Sequence, residues 1–267
     1  MNEIAFFFYH RVDDNMFETC VKTLRRHSSC KIVVASDNFP DELKKEFSNK
    51  YVIDWIDVPR EQMKGRRAAC KVEVLSKYVD QLSMYDAVFV SDVDVYFMGN
   101  PFEAFGGFDL GLTTRGYKYY FPINAGVFCL VCNETTKDWL HWHVNEVRRP
   151  TWELYKSLNH RHRQRFGLDW AVGQDFLIAC WQKRDEIFET RGFIIKDVGP
   201  RYNYCPPSDK WFGRAFDCIR KAYRDKTHVV LHLKGQLKTI LYEGLFEDAV
   251  TRHPKAGHDW YGGGMNT

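Results

Sequence analysis

No stretch of this 267-residue chain approaches the length of a membrane-spanning apolar run. Charge of one sign is also missing. With 38 basic against 35 acidic residues the net charge is only +3, too mild to argue for nucleic acid and suited instead to handling a phosphorylated small molecule. There is no internal repeat and no low-complexity linker, which excludes solenoids and domain arrays. The eight cysteines (Cys20, Cys30, Cys70, Cys129, Cys132, Cys180, Cys205 and Cys218) form neither a disulfide framework nor a zinc site. Most lie in apolar runs, and Cys129-Leu-Val-Cys132 has zinc-knuckle spacing without a second pair nearby. They are expected to be buried, reduced thiols in a cytosolic compartment. Ile4 to Tyr9 is too short and too strand-like for a signal peptide, so the expectation is a soluble, cytoplasmic protein with no integral membrane segment.

What remains is an ordinary globular composition, 45% hydrophobic and 27% charged, long enough for one large α/β domain with a full core. Aromatic content, at 16%, is high. Most of these rings fill the core, and a surplus is available to line a site for planar bases or sugar faces.

The chain alternates strand and helix from its start. Ile4 to Tyr9 reads as a strand, Phe17 to His27 as a helix with Phe17, Val21 and Leu24 on one stripe, and Lys31 to Asp37 as a second strand. A short charged helix, Asp41 to Phe47, precedes a third strand over Tyr51 to Val58. Arg66 to Leu82 is an amphipathic helix with Ala69, Val72, Leu75, Val79 and Leu82 along its apolar face. This alternation predicts a parallel sheet with crossovers, an α/β nucleotide-binding half. Further on, Phe108 to Thr114 and Phe121 to Val131 read as strands, Lys137 to Arg148 as a helix, and Thr227 to Leu233 as the last strand. The basic stretch Arg148 to Arg165 reads as a mobile surface segment, with a grip on an anionic acceptor as the lesser alternative. Tyr202 to Pro207 reads as an extended aromatic loop, and residues 261–267 as a flexible tail.

The chemistry concentrates after Ala87 to Val90, an apolar run suited to a strand buried on both faces. Asp92-Val93-Asp94 follows at once. Side chains alternate along an extended chain, so both carboxylates can point the same way. Two acids at the mouth of a core strand repel each other and lose hydration unless something positive offsets them, and a divalent cation does so. The carboxyl end of a strand in an open α/β sheet is also where such folds bind ligands. Upstream, Arg66, Arg67 and Lys71 lie at the helix end nearest those strand ends, as phosphate contacts or as solvated charge with equal weight. Asn124-Ala125-Gly126 interrupts an apolar strand, where glycine permits close approach by a ligand or simply marks a bulge.

Three pieces in order, Asp92-Val93-Asp94, Asn124-Ala125-Gly126 and His232-Leu-Lys-Gly235-Gln-Leu-Lys238, resemble nucleotide-sugar glycosyltransferases of the GT-A fold. The closest resemblance is to the retaining group that includes glycogenin and the bacterial lipopolysaccharide galactosyltransferases. It implies a Rossmann-like, mainly parallel central sheet flanked by helices, with a smaller acceptor-side sheet. It further implies a single domain whose residues 1–97 bind nucleotide and whose residues 98–260 take the acceptor. The implied activity is transfer of a hexose from a nucleoside-diphosphate sugar, UDP-linked, to a glycan or other hydroxyl acceptor with retention.

By the same resemblance Asp92, Asp94 and His232 would hold Mn2+ (or Mg2+), a donor set that suits manganese better than calcium. Gly235 would let the backbone approach the diphosphate, Lys238 would neutralise it, and Lys71 would match the basic residue before Asp-x-Asp. Asn124 would contact sugar hydroxyls, and Tyr9 and Asp37 would lie near the base. The sequence departs from the pattern at Gly173-Gln174-Asp175, where either Gln174 or Asp175 faces the anomeric carbon, with Asp175 preferred. It departs again at Thr239-Ile240, which replace Pro-Trp. Two rival readings are a phosphatase of the haloacid dehalogenase type and an inactive sugar-nucleotide-binding module. The first expects Thr or Val where Tyr96 stands and a later Asp-Asp that is missing; the intact Asp92, Asp94, His232 and Lys238 weigh against the second.

Overall fold

The computed structural model describes residues 1–10, 14–63, 67–115, 122–166, 171–206, 212–233, 238, 241, 246 and 247. In chain order the elements are β1 (Glu3–Tyr9), α1 (Asp14–Arg25), β2 (Lys31–Ser36), α2 (Asp41–Tyr51), β3 (Ile53–Asp57), the single turn α3 (Arg60–Met63), α4 (Arg67–Val79), β4 (Ala87–Ser91), β5 (Val95–Phe97), β6 (Leu110–Leu112) and β7 (Val127–Val131). They continue with α5 (Glu134–Arg148), α6 (Glu153–Phe166), α7 (Ala171–Gln182), α8 (Arg184–Arg191), β8 (Ile195–Asp197), α9 (Phe212–Asp225) and β9 (Val230–His232).

Seven strands form the central sheet in the order β3-β2-β1-β4-β7-β6-β8, and β5 pairs with β9 in a separate two-stranded sheet. All neighbours in the large sheet are parallel except those of β7, which runs against both β4 and β6. From β1 the chain steps outward to β2 and β3, then returns through α4 to β4 on the other side of β1. The reversal leaves a crevice at the carboxyl ends of β1 and β4, where an open α/β sheet binds its ligand.

Strand alternation sorts the core onto two faces. Ala5, Phe7 and Tyr9 point to one side and pack with Phe17, Val21 and Leu24 of α1, with the small sheet, and with Leu241 and Phe246. Ile4, Phe6 and Phe8 point to the other and meet Leu75 and Val79 of α4, Trp139 of α5 and Phe176 of α7. These central strands read as continuous apolar runs because both faces are covered. Asn133 starts α5 with its side-chain oxygen accepting from Thr136 N at 2.7 Å, an N-cap that fixes where β7 gives way to helix. All eight cysteines are free, with only Cys205 and Cys218 partly exposed. Among the described residues no helix is long and apolar enough to cross a membrane.

One expectation changes outright. Most of the stretch 148–165 is not a loose segment but the helix α6. Its basic residues hide a stripe of Tyr155, Leu158, Asn159 and His162, all buried, at i, i+3, i+4 and i+7. The predicted strands at 108–114, 121–131 and 227–233 are shorter than expected, and α8, α9 and β8 are additions to the sequence reading. The predicted tail lies outside the described residues.

Candidate metal centre and donor cleft

The small sheet performs the long-range work of the site. Val95 of β5 is paired in register with His232 of β9, and Leu233 N donates to Asp94 O at 2.9 Å, so the imidazole is laid beside the acids by backbone pairing. His232 Nε2 lies 3.0 Å from Asp94 Oδ1 and 3.9 Å from Asp92 Oδ2. One donor atom from each of Asp92, Asp94 and His232 falls within 4.8 Å of the other two.

Two ammonium groups flank these acids. Lys71 Nζ, on α4, is 2.7 Å from Asp92 Oδ1, and Lys238 Nζ is 2.5 Å from Asp94 Oδ2. Burial pushes the Asp94 carboxyl up, but the His232 imidazole and the Lys238 ammonium outweigh it and hold the group well below the usual carboxylate range. Asp94 Oδ1 is nonetheless buried without a hydrogen-bond partner among the described residues. Carboxylate oxygens joined by one imidazole nitrogen suit a cation of the manganese or magnesium kind, so the residues fit a divalent ion. Gly126 leaves the room: a Cβ there would stand 2.5 Å from Asp92 Oδ2 and collide with His232 Cε1. Its carbonyl also anchors the loop, accepting from Asp92 N at 2.6 Å.

The Asp92–Asp94–His232 cluster opens into a cleft of about 370 Å³. Its wall includes Phe8, His10, Lys71, Asn124, Gln174 and Lys238. Asn124 is buried beside the cluster, with Nδ2 2.9 Å from His232 Nδ1. Gln174 lies on the cleft and its Oε1 accepts from Ala125 N at 3.4 Å. Asp175, the preferred candidate from sequence, is turned away. It is fully buried, accepts from Asn159 Nδ2 at 3.2 Å and pairs with His162 Nδ1, because neighbouring helical residues project about 100° apart.

Tyr9, expected near the base, is not among the residues of the cleft wall. It faces the α1 side, its ring 4.7 Å from that of Phe39 and its hydroxyl donating to Asp14 Oδ1 at 2.7 Å. The alternation that turns Tyr9 away brings Phe8 and His10 to the cleft instead. Asp37 is absent from the cleft wall and lies behind His10, its Oδ1 2.8 Å from His10 Nδ1. Gly235, Arg66, Thr239, Ile240 and the side chain of Arg67 lie outside the described residues. Sequence reasoning missed His10, His143 and Asn203. His10 was legible by counting two on from Phe8. His143, buried on α5 and lining the cleft, sits one turn after Trp139. Asn203 carried no signal.

No protein-family model matches the chain, and no curated protein sequence matches it. Solved structures do. The apo form of the glycosyltransferase GlyE from Streptococcus pneumoniae TIGR4 superposes with a TM-score of 0.56 at 15% identity, covering 94% of this chain and 62% of that one. The galactosyltransferase LgtC, in complex with donor and acceptor sugar analogs, gives 0.50 at 18% identity over 95% of this chain and 98% of its own. The bifunctional glycosyltransferase WbbM gives 0.56 at 12% identity, covering 95% of this chain and half, 50%, of that one. The chain thus spans less than two thirds of the length of GlyE. At these identities the likeness establishes the fold, and the expectation of a GT-A fold with a mainly parallel sheet is borne out.

Proposed function

We propose that the protein is a metal-dependent glycosyltransferase that moves a hexose from a nucleoside-diphosphate sugar, UDP-linked, to a hydroxyl of a glycan or related acceptor, with retention. In this reading residues 1–97 are the nucleotide half of a single domain and residues 98–260 the acceptor side. The observation that carries it is the meeting of Asp92, Asp94 and His232 at the β1/β4 switch point, with two lysines alongside. LgtC, whose fold this chain shares, has been crystallised with donor and acceptor sugar analogs and as an active-site glutamine mutant.

The assignment of roles follows the geometry. Asp92, Asp94 and His232 hold the cation, Mn2+ or Mg2+, which when bound supplies positive charge to the diphosphate and stabilises it as a leaving group. Lys71 and Lys238 exchange their present carboxylate partners for phosphate oxygens, adding preorganised charge in a partly enclosed site. Asn124 holds sugar hydroxyls, and Gln174 presents its amide beside the anomeric carbon. Among the described residues of the cleft wall the only carboxylates are Asp92 and Asp94.

The test is a panel of UDP-hexoses and other sugar nucleotides against the full chain, with and without Mn2+, read by melting temperature and by release of nucleoside diphosphate. A UDP-sugar should raise the melting point only with the metal and release UDP slowly without acceptor. A panel without any metal-dependent ligand would overturn the proposal, as would release of inorganic phosphate from phosphomonoesters.

A further inference from the structure

We infer that Asn203 is the positioning residue that sets His232 in its cation-binding state, an assignment that rests on the metal reading above. Asn203 is buried, and the backbone on either side of its neighbour is locked to β9: Tyr204 N donates to Val230 O at 2.9 Å and His232 N donates to Tyr204 O at 2.8 Å. Asn203 therefore stands beside the imidazole by backbone pairing.

The orientation of its amide is fixed by what surrounds it. The nitrogen end faces two oxygens, donating to Thr113 Oγ1 at 2.9 Å and toward Asn124 O at 3.4 Å. A flip would turn a carbonyl against that backbone carbonyl. The oxygen end consequently faces His232 Nδ1 at 3.0 Å and also accepts from Asn124 Nδ2 at 3.2 Å. A carbonyl oxygen only accepts, so this bond requires the proton on Nδ1. In the neutral ring that leaves the lone pair on Nε2, the nitrogen turned to Asp94 Oδ1 and Asp92 Oδ2. Metal-bound histidines nearly always hand their other N–H to such an acceptor, which fixes both tautomer and ring plane.

Asn124 pulls the other way. Its Nδ2 lies 2.9 Å from the same Nδ1 and as a donor would prefer the lone pair there, leaving Nε2 protonated and useless to a cation. Among the described residues the nitrogen thus has a partner for each tautomer, Asn124 and Asn203, and Asn203 supports metal binding. When it does, the Asn124 amide still has Asn203 Oδ1 and Cys205 Sγ, at 3.1 Å, to donate to.

The test is equilibrium Mn2+ binding to the full chain, with free Mn2+ followed by electron paramagnetic resonance, in wild type, Asn203→Leu and Asn203→Asp. Asn203→Leu should bind Mn2+ about 10–100-fold more weakly, read on the folded fraction, because the buried partners it strands also lower the melting temperature. Asn203→Asp, whose carboxylate still accepts from Nδ1, should stay near wild type. Wild-type affinity in the leucine variant overturns the inference, and so does an aspartate variant as weak as the leucine one. If Asn203→Leu does not fold, Thr113→Val is read in its place. It removes the nearer of the two oxygens that hold the amide nitrogen, loosening the Asn203 orientation, and should weaken Mn2+ several-fold, and unchanged affinity there is equally fatal. A wild-type chain that binds no Mn2+ removes the metal reading and this inference together. Binding in wild type with no effect at Asn203 removes the inference alone.

Discussion

Among the described residues, two acid–imidazole pairs have both partners buried, and they differ in what is left over. Asp175 and His162, with Asn159, tie α7 to α6. The acid is fully buried, the ring is 4% exposed, and both carboxylate oxygens are engaged. Asp94 and His232 are buried almost as deeply, at 6% and 1%. Yet among the described residues Asp94 Oδ1 meets only the imidazole nitrogen of its own pair, a second acid stands alongside, and the pair opens on a cleft between two lysines. Burial of an acid against an imidazole therefore does not mark a site. A closed set of bonds makes a clasp, whereas a set left open toward a cleft makes a place for a ligand.

The largest effect that can break this contrast is at Asp94. Asp94→Ala should abolish metal-dependent donor binding, exceeding the roughly 10–100-fold loss that follows when a residue supporting a metal ligand is removed. It should leave a folded protein, and Mn2+ titration with circular dichroism checks both. Asp175→Ala should do the reverse. Stripping one partner from a buried pair costs about 3–5 kcal/mol of folding stability, while Mn2+ affinity of the folded fraction stays close to wild type. Urea melts beside the same titration decide it, and loss of Mn2+ binding at unchanged stability would erase the distinction. Gly126→Ala comes next. Its methyl would crowd Asp92 Oδ2 and His232 Cε1, so overpacking of about 1–3 kcal/mol should appear chiefly as weakened metal binding.

The contrast also shows why the sequence was readable where it was. The carboxylates announced themselves because Asp92 and Asp94 follow an unbroken buried strand, and the parallel half of the sheet because β1, β2 and β4 are apolar on both faces. The imidazole of His232 was found only through the His-x-x-Gly-x-x-Lys resemblance, since the pairing of β5 with β9 joins segments far apart in the chain. The clasp was illegible for a different reason. His162 and Asn159 sit among arginines and lysines, and a helix written mostly in charges reads as solvent-facing until its i, i+3, i+4, i+7 stripe is counted. Choosing between Gln174 and Asp175 needed the rotation of α7, which one sequence does not give.

A third buried imidazole completes the series by having no acid at all. His143 stacks on Phe176 with ring centroids 4.1 Å apart, and its Nε2 has no hydrogen-bond partner among the described residues. Burial alone pushes its pKa down, to about 3. The unfolded chain takes up this proton near pH 6.5 and the folded chain only near 3, so ν_U exceeds ν_N between those values and stability falls as pH drops through the window. The slope from this one group is at most about 1.4 kcal/mol per pH unit. His143→Phe should flatten urea midpoints measured from pH 6.5 to 4. A remainder should persist from His27 and His228, which shift the same way through partial burial. Asp94, with its carboxyl depressed, contributes stability above its unfolded pKa and loses it only at lower pH, so the acid limb below pH 4 should survive the substitution. If the phenylalanine variant keeps the full wild-type slope above pH 4, desolvation is not what separates a lone buried imidazole from the two that have acids.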